Sequence, residues 1–413
     1  MSITVHETRL LALLQSEIQA RPLPGERLEA EFQSLTQEDW NGLMTVAQAN
    51  RAFPLLLEAL RRNPSIPVPM PVGRFLQQNA MQNSMAFYQK LSLLSSLAEL
   101  TRQEGIHAYL LKGLGLNALY PHEESRCFAD IDLYIPDSGE YRRLLDIFQS
   151  RGYEKETEDM TDYHHGFHYQ REGISCTVEL HYRLTTSYQT GDFDRRLASI
   201  YEQGMEGQPP RTIQLMGLEF QALPVTMEAL YLLMHMFQHF MNKGFGLRLF
   251  TDWVVFWSRL GDGVDSARFC RWVRELGLDA FLDAINSICV RYLGMRLPSF
   301  GWLQGQEDSA LAQELLEDVF SGGEFGHLDR NRISVTSRRF GVKAYLMELH
   351  RQTKRRYPRA SKIKILLPVL WVSAAVIFQY NNLFRRRITL RGVIASNNLR
   401  NQLAKKLHIF DES

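Results

Sequence analysis

Eight residues, Ala129-Asp130-Ile131-Asp132-Leu133-Tyr134-Ile135-Pro136, set the frame for the whole chain. They alternate with a period of two, placing Asp130, Asp132 and Tyr134 on one face of a strand and Ile131, Leu133 and Ile135 on the other. The segments nearest to this strand have the same texture. Ile106 to Leu111 is short, apolar and preceded by Gly105, which suits a second strand, and Lys112-Gly113-Leu114-Gly115 then turns into a helix over Leu116 to Tyr120. Tyr141 to Arg151 reads as a helix closed by Gly152. Tyr163 to Gln170 and Ile174 to Leu184 flank Arg171-Glu172-Gly173 as the arms of a hairpin. This order of elements predicts an α+β fold, with a small mixed sheet packed against helices.

The flanks carry a helical period instead. Leu10, Leu11, Leu13 and Leu14 start an amphipathic segment that Pro22 and Pro24 close. Thr36 with Asp39 three residues on has the form of a capped helix start, and that helix bears Trp40, Leu43, Met44 and Ala47. Phe53 to Leu60 and a proline-free run from Val72 to about Glu104 follow. Beyond Gly191, Thr226 to Phe240 and Leu247 to Leu260 are strongly apolar, Phe269 to Leu293 gives one or two more helices, and Gln304 to Arg332 is polar enough for a linker. The expected division is an N-terminal helical region (1–104), a catalytic core (105–190), a helical domain (191–300), and a linker with a basic C-terminal helical region (301–413).

Charge is distributed unevenly. The chain has 413 residues and a net charge of +1. From Arg351 onward, however, 14 Lys and Arg face only Asp411 and Glu412, which makes this tail +12 and the first 350 residues −11. Overall charge therefore gives no nucleic-acid argument, and no recognition motif accompanies the tail, so nucleic acid is the less expected partner. Within the tail, Ile365 to Phe378 is apolar over 14 residues. As a helix it reaches only ~21 Å, short of a ~30 Å bilayer core. Flanked by basic clusters, it reads as a buried core helix or as an interfacial element drawn to an anionic membrane surface. Glu7, Arg9 and Glu17 interrupt the N-terminal apolar residues, which argues against a signal peptide. The four cysteines are far apart and form no C-x-x-C pair, so the expected setting is a reducing, cytoplasmic one.

The chemistry concentrates around the alternating strand. Asp130 and Asp132, at i and i+2, point to the same side and repel each other unless a cation lies between them, as when Mg²⁺ is held against a triphosphate. Glu179, in Thr177-Val178-Glu179-Leu180-His181, has apolar strand neighbours. Placed beside the first strand it completes a three-acid metal shell and accepts a proton from an attacking hydroxyl. At Lys112-Gly113, where a strand gives way to a helix, backbone N–H groups point at phosphate, glycine permits close approach and lysine adds a point charge. Neither the G-x-x-x-x-G-K nor the G-x-G-x-x-G loop is present.

The order strand-Lys-Gly-helix, Arg126-x-x-x-Asp130-x-Asp132-Leu133 and Glu179-Leu180-His181-Tyr182-Arg183-Leu184 resembles the polymerase-beta-type nucleotidyltransferase superfamily. More narrowly, it is similar to an uncharacterised bacterial nucleotidyltransferase family found beside polysaccharide and peptide biosynthesis genes. In that family Leu-Lys-Gly stands where the commoner turn is Gly-Ser. The resemblance takes in the Asp39-Trp40 helix, His235-x-x-x-His239 and Arg248-x-x-x-Asp252. It implies transfer of a nucleotidyl group from an NTP to an acceptor hydroxyl or phosphate, with Asp130, Asp132 and Glu179 as catalytic and metal residues for two Mg²⁺ ions. Lys112, Gly113, Arg126 and His181 are then the nucleotide-binding residues, with Arg126 either neutralising charge at the α-phosphate or bracing the loop. A non-catalytic NTP-binding scaffold at the membrane surface and a tRNA-modifying toxin are the competing functions. His164, His165 and His168, opposite Glu179, have three readings: a transition-metal site, phosphate or substrate contacts, or hydrogen-bonded strand residues. His235 and His239 share a helix face, as do Arg248 and Asp252, and the second pair reads either as a polar bridge between the helical domain and the sheet or as a contact to the nucleotide, the bridge being favoured.

Overall fold

The computed structural model describes residues 3–296 except 161–162, 172, 189–190 and 243, then 310–326, 366–380, 402–408 and the single residues 328, 350, 353, 357 and 400. The chain opens with α1 (Val5–Ile18), α2 (Gly25–Phe32), α3 (Gln37–Ala49), α4 (Phe53–Arg62) and the long α5 (Met70–Gln103). The cap read at Thr36 is a reciprocal one. The Asp39 amide donates to Thr36 Oγ1 at 3.2 Å, and the Thr36 amide donates to Asp39 Oδ2 at 3.0 Å.

The sheet then forms from β1 (Tyr109–Leu110), β2 (Asp130–Tyr134), β3 (Glu154–Met160), β4 (His164–Arg171) and β5 (Ile174–His181), with α6 (Lys112–Asn117) after β1 and α7 (Ser138–Ser150) after β2. Its spatial order is β1-β2-β5-β4-β3. β2 and β5 run parallel, with Asp132 opposite Glu179, whereas every other pair is antiparallel. This is the mixed α+β sheet that the alternating pattern predicts. Two features were not visible in the pattern. β3 (Glu154–Met160) carries Glu-Lys-Glu-Thr-Glu-Asp, with no apolar alternation to reveal it. The hairpin β6 (Arg211–Leu215) and β7 (Leu218–Ala222), after α8 (Gly191–Met205), lies in a stretch read as helical.

The remaining described helices are α9 (Val225–Met241), α10 (Leu247–Leu260), α11 (Ser266–Glu275), α12 (Asp279–Leu293), α13 (Ala310–Gly322) and α14 (Leu367–Tyr380). The polar stretch 304–332 is thus more than a linker. Inside it α13 buries Leu315, Leu316 and Val319 and packs on α12. The apolar run 365–378 is largely α14, with Leu366, Val369 and Val372 exposed, and no helix among the described residues is long and apolar enough to cross a membrane.

Two cores divide the apolar side chains. One joins the N-terminal helices to the C-terminal ones, with Leu10, Trp40 and Leu56 sharing a cluster with Phe237, Trp253 and Ile285. The other lies under the sheet, where Ile131, Leu133, Phe167, Val178 and Leu180 meet Leu94 and Leu97 of α5 and Leu144 and Phe148 of α7. Because strand side chains alternate, burying these residues turns Asp130, Asp132, Glu179 and His181 to the opposite face, toward α9 and α10.

The hairpin β6–β7 is fastened to α9 by a two-pronged pair. Arg211 Nε and Nη2 donate to Glu228 Oε2 and Oε1 at 2.7 and 2.8 Å, and both side chains are about nine-tenths buried or more. Removing one partner leaves an uncompensated buried charge. Glu228→Ala therefore lowers unfolding stability by ~3–5 kcal/mol in denaturant titrations, whereas Arg195→Ala, which breaks an exposed pair with Asp192, costs under about 1 kcal/mol.

Candidate active site

The parallel register of β2 and β5 brings together acids 47 positions apart in sequence. Asp130, Asp132 and Glu179 each turn one carboxylate oxygen to within 4.8 Å of the others. Glu179 sits opposite Gly166 of β4, and His181, two residues on, sits opposite His164. The structure divides the histidine cluster. His164 and His168 pair with the site-facing positions His181 and Thr177. His165 takes the other face, where its Nδ1 lies 2.6 Å from the hydroxyl of Tyr141 on α7.

Four groups form a compact charge network. Lys112 Nζ lies 3.0 Å from Asp132 Oδ1, and His181 Nε2 lies 3.1 Å from the same oxygen and 3.2 Å from Glu179 Oε2. His164 Nε2 is 3.8 Å from Glu179 Oε1. The environments separate the three acids. Burial works against ionisation of Asp132, but the Lys112 ammonium and His181 hold its carboxyl well below the usual range. Burial and the nearby charge of Asp132 raise Asp130 and push Glu179 up to about 7. Burial opposes the charge on His181, yet its hydrogen bonds to Asp132 and Glu179 raise it above an ordinary histidine. His164, desolvated and beside His181, is lowered to about 3 and is a neutral ring. The result is one firmly ionised acid flanked by two that give up protons less readily.

The Lys112-Gly113 corner is built to lie against these acids. The Leu111 amide donates to the Asp132 carbonyl at 3.0 Å, which seats the turn on β2. Gly113 has φ 47° and ψ −123°, a backbone shape that favours glycine, and α6 becomes a regular helix only after it. A Cβ there would approach the Asp130 carbonyl to 3.4 Å.

Arg126 braces the same corner from behind. It is 2 % exposed and donates through Nε and Nη2 to both oxygens of Asp252 on α10, at 2.6 and 2.7 Å. Its Nη1 donates to the Gly113 carbonyl at 3.1 Å, and Asp252 also accepts from the Tyr120 hydroxyl at 2.7 Å. Arg126 lines the cavity, with its guanidinium hydrogen-bonded to Asp252 and to the turn. Arg248 pairs with Glu324 at 2.7 Å and also contacts the Cys127 carbonyl. Asp252 thus ties α10 to Arg126 and Tyr120, both beside the turn that follows β1.

These elements enclose a cavity of about 160 Å³. Asp130, Asp132 and Glu179 line one wall, Lys112 and Gly113 the corner, and Tyr231, His235, Gln238 and His239 of α9 the wall across from the sheet. Tyr163, which accepts from Gln238 Nε2 at 2.9 Å, closes one side. Sequence reasoning did not single out Tyr163, Tyr231 or Gln238. In the sequence α9 is apolar on nearly every face, and no period marks the side that meets the sheet.

Residues 36–294 match the protein family described as "Uncharacterised nucleotidyltransferase". The chain belongs to this family. No curated protein and no solved structure matches the chain. The match to this nucleotidyltransferase family begins at the α3 cap and ends just after α12, so it takes in the sheet, the acids, the Lys112-Gly113 corner and the α9–α10 wall. Family membership implies a nucleotide substrate, and the acidic cluster has the donor set for a metal ion.

Two outcomes follow from this geometry. Arg126→Ala and Asp252→Ala each destabilise the fold by ~3–5 kcal/mol, while Arg126→Met/Asp252→Leu recovers most of that loss in thermal melts, because apolar replacement removes both buried charges. His239 of α9 is lowered from 6.5 to about 3 by burial, with Lys112 and Arg248 adding to the effect. The unfolded chain takes up this proton near pH 6.5 and the folded one does not, so the stability it contributes is full above 6.5 and is lost as pH falls below that. His239→Gln therefore removes about 1 kcal/mol of the stability lost between pH 7.5 and 5.5, measured by denaturant titration at both pH values.

Proposed function

We propose that this protein transfers a nucleotidyl group from an NTP to an acceptor hydroxyl or phosphate, with the three-acid cluster as its catalytic centre. The observation that carries this reading is the convergence of Asp130, Asp132 and Glu179 beside the Lys112-Gly113 corner, inside a chain of a nucleotidyltransferase family. Three carboxylates this close and this buried suit a hard cation with oxygen ligands, and Mg²⁺ fits that donor set. Mg²⁺ held there, two ions by analogy with the superfamily, supplies charge stabilisation at the α-phosphate and at the departing pyrophosphate.

The protein's own residues do the rest. The backbone at Gly113 and the ammonium of Lys112 receive the triphosphate. Lys112 leans on Asp132 and turns its charge toward the cavity. His181 bridges Asp132 and Glu179, fixing their orientation, and contacts the phosphates from the same wall. Glu179, on the wall beside the acceptor, takes the acceptor's proton as the acceptor oxygen bonds to the α-phosphorus. The bond between the α-phosphorus and the bridging oxygen breaks, and pyrophosphate leaves with the electron pair. Arg126 and Asp252 keep Gly113 in the shape this requires.

A membrane-surface location fits the same enzyme. Val369 and Val372 of α14 are 67 % and 64 % exposed, and they lie in the +12 tail. An acceptor in cell-surface polysaccharide or peptide biosynthesis would be met at such a surface.

The direct test incubates the full chain with each NTP, Mg²⁺ and a lysate as acceptor source, and measures pyrophosphate release. Wild type turns over at least one NTP, and Asp132→Asn lowers that rate at least a hundredfold, or about 2.7 kcal/mol in barrier. No release with any NTP rejects the enzyme and favours a nucleotide-binding scaffold. In flotation with phosphatidylglycerol vesicles, the chain binds at low salt and is released by high salt, and Val369→Asp/Val372→Asp binds less.

A further inference from the structure

We propose that the ring face of α9 formed by Tyr231, His235 and His239 is the subsite for the nucleobase, taking a planar, uncharged heteroaromatic ring while the phosphates lie at Lys112-Gly113. This inference rests on the nucleotidyltransferase reading and names the part of the substrate that the opposite wall of the cavity receives.

Three observations carry it. The first is placement. Positions 231, 235 and 239 follow each other at intervals of four, so their side chains form one stripe along the helix, and all three line the cavity that the acids line from the other side. The second is shape. Tyr231 and His235 lie nearly parallel, at 22° with centroids 6.3 Å apart, and His239 meets His235 edge to face at 4.4 Å. The wall is therefore a run of three aromatic rings, Tyr231 almost fully buried and His235 and His239 partly exposed, and aromatic rings are the groups on which a base stacks. The third is chemistry. A neutral imidazole offers one N–H donor and one lone pair, which suits the mixed donors and acceptors of a base edge. Burial, together with the charge of nearby groups, keeps both histidines neutral at pH 7. The three rings carry no charge to offer a phosphate; Lys112, Arg126 and Arg248 line the same cavity, with Arg126 paired to Asp252 and Arg248 to Glu324.

Gln238, tied to Tyr163 just before β4, links the wall to the edge of the sheet.

The test is calorimetric titration of the full chain with ATP, GTP, CTP and UTP, and with inorganic tripolyphosphate as a probe that has no base, all with Mg²⁺. Wild type binds at least one NTP about tenfold or more tighter than tripolyphosphate. His235→Ala and His239→Ala shrink that gap about tenfold and leave tripolyphosphate affinity unchanged, so the unchanged probe also reports an intact fold. His235→Phe, which keeps a flat face and loses the polar edge, retains NTP affinity and loses discrimination among the four bases. The proposal is overturned if no NTP binds more tightly than tripolyphosphate, which would give the wall to the acceptor, or if the alanine variants weaken probe and NTP equally. Binding of neither probe nor NTP by wild type would instead overturn the nucleotidyltransferase reading itself.

Discussion

Burying three carboxylates side by side is electrostatically unfavourable, and much of this structure is an answer to that problem. Asp132 has almost no exposure, and Asp130 and Glu179 present oxygens within 4.8 Å of it. Like charges at that spacing in a poorly solvated site destabilise one another unless cations stand between them. The chain supplies Lys112 and His181, both within 3.2 Å of carboxylate oxygens. The site is thus preorganised for cationic chemistry by its own side chains, and Glu179, with its raised affinity for a proton, is the acid least committed to its charge.

Topology makes the crowding unavoidable. Asp132 and Glu179 face one another because β2 and β5 are parallel neighbours, and parallel strands cannot be joined by a tight turn. The chain crosses over through α7, then lays down β3 and β4 before returning as β5. That detour buries α7 against the apolar side of the sheet, which leaves the polar side for α9 and α10. The same alternation that makes Ile131, Leu133, Val178 and Leu180 a core makes their neighbours a site.

Much of this was legible in the sequence, for identifiable reasons. The alternation around Asp130 and Asp132 and the strand around Glu179 are local signals, because each strand states its own faces. The pairing of those strands is not local, and it was reached through the resemblance of the combined motifs to a nucleotidyltransferase family. Strand β3 was invisible because an edge strand of charged residues has no apolar period. The role of α9 was hidden for the opposite reason, since a helix apolar all round does not declare which face meets the sheet. Helix α13 reads as linker in the sequence because its short apolar set lies among polar and acidic residues, and it is packing on α12 that buries that set.

The Arg126 and Asp252 pair has a mechanical consequence. Through it the turn after β1 is fastened to α10, while Tyr120 grips the same carboxylate and Gln238 reaches from α9 to Tyr163. Sheet and helices are therefore pinned on two sides of the cavity, and they cannot swing apart as rigid jaws without breaking buried charged contacts. Parting the sheet from the helices would cost the buried Arg126–Asp252 pair, so the two walls of the cavity hold their spacing.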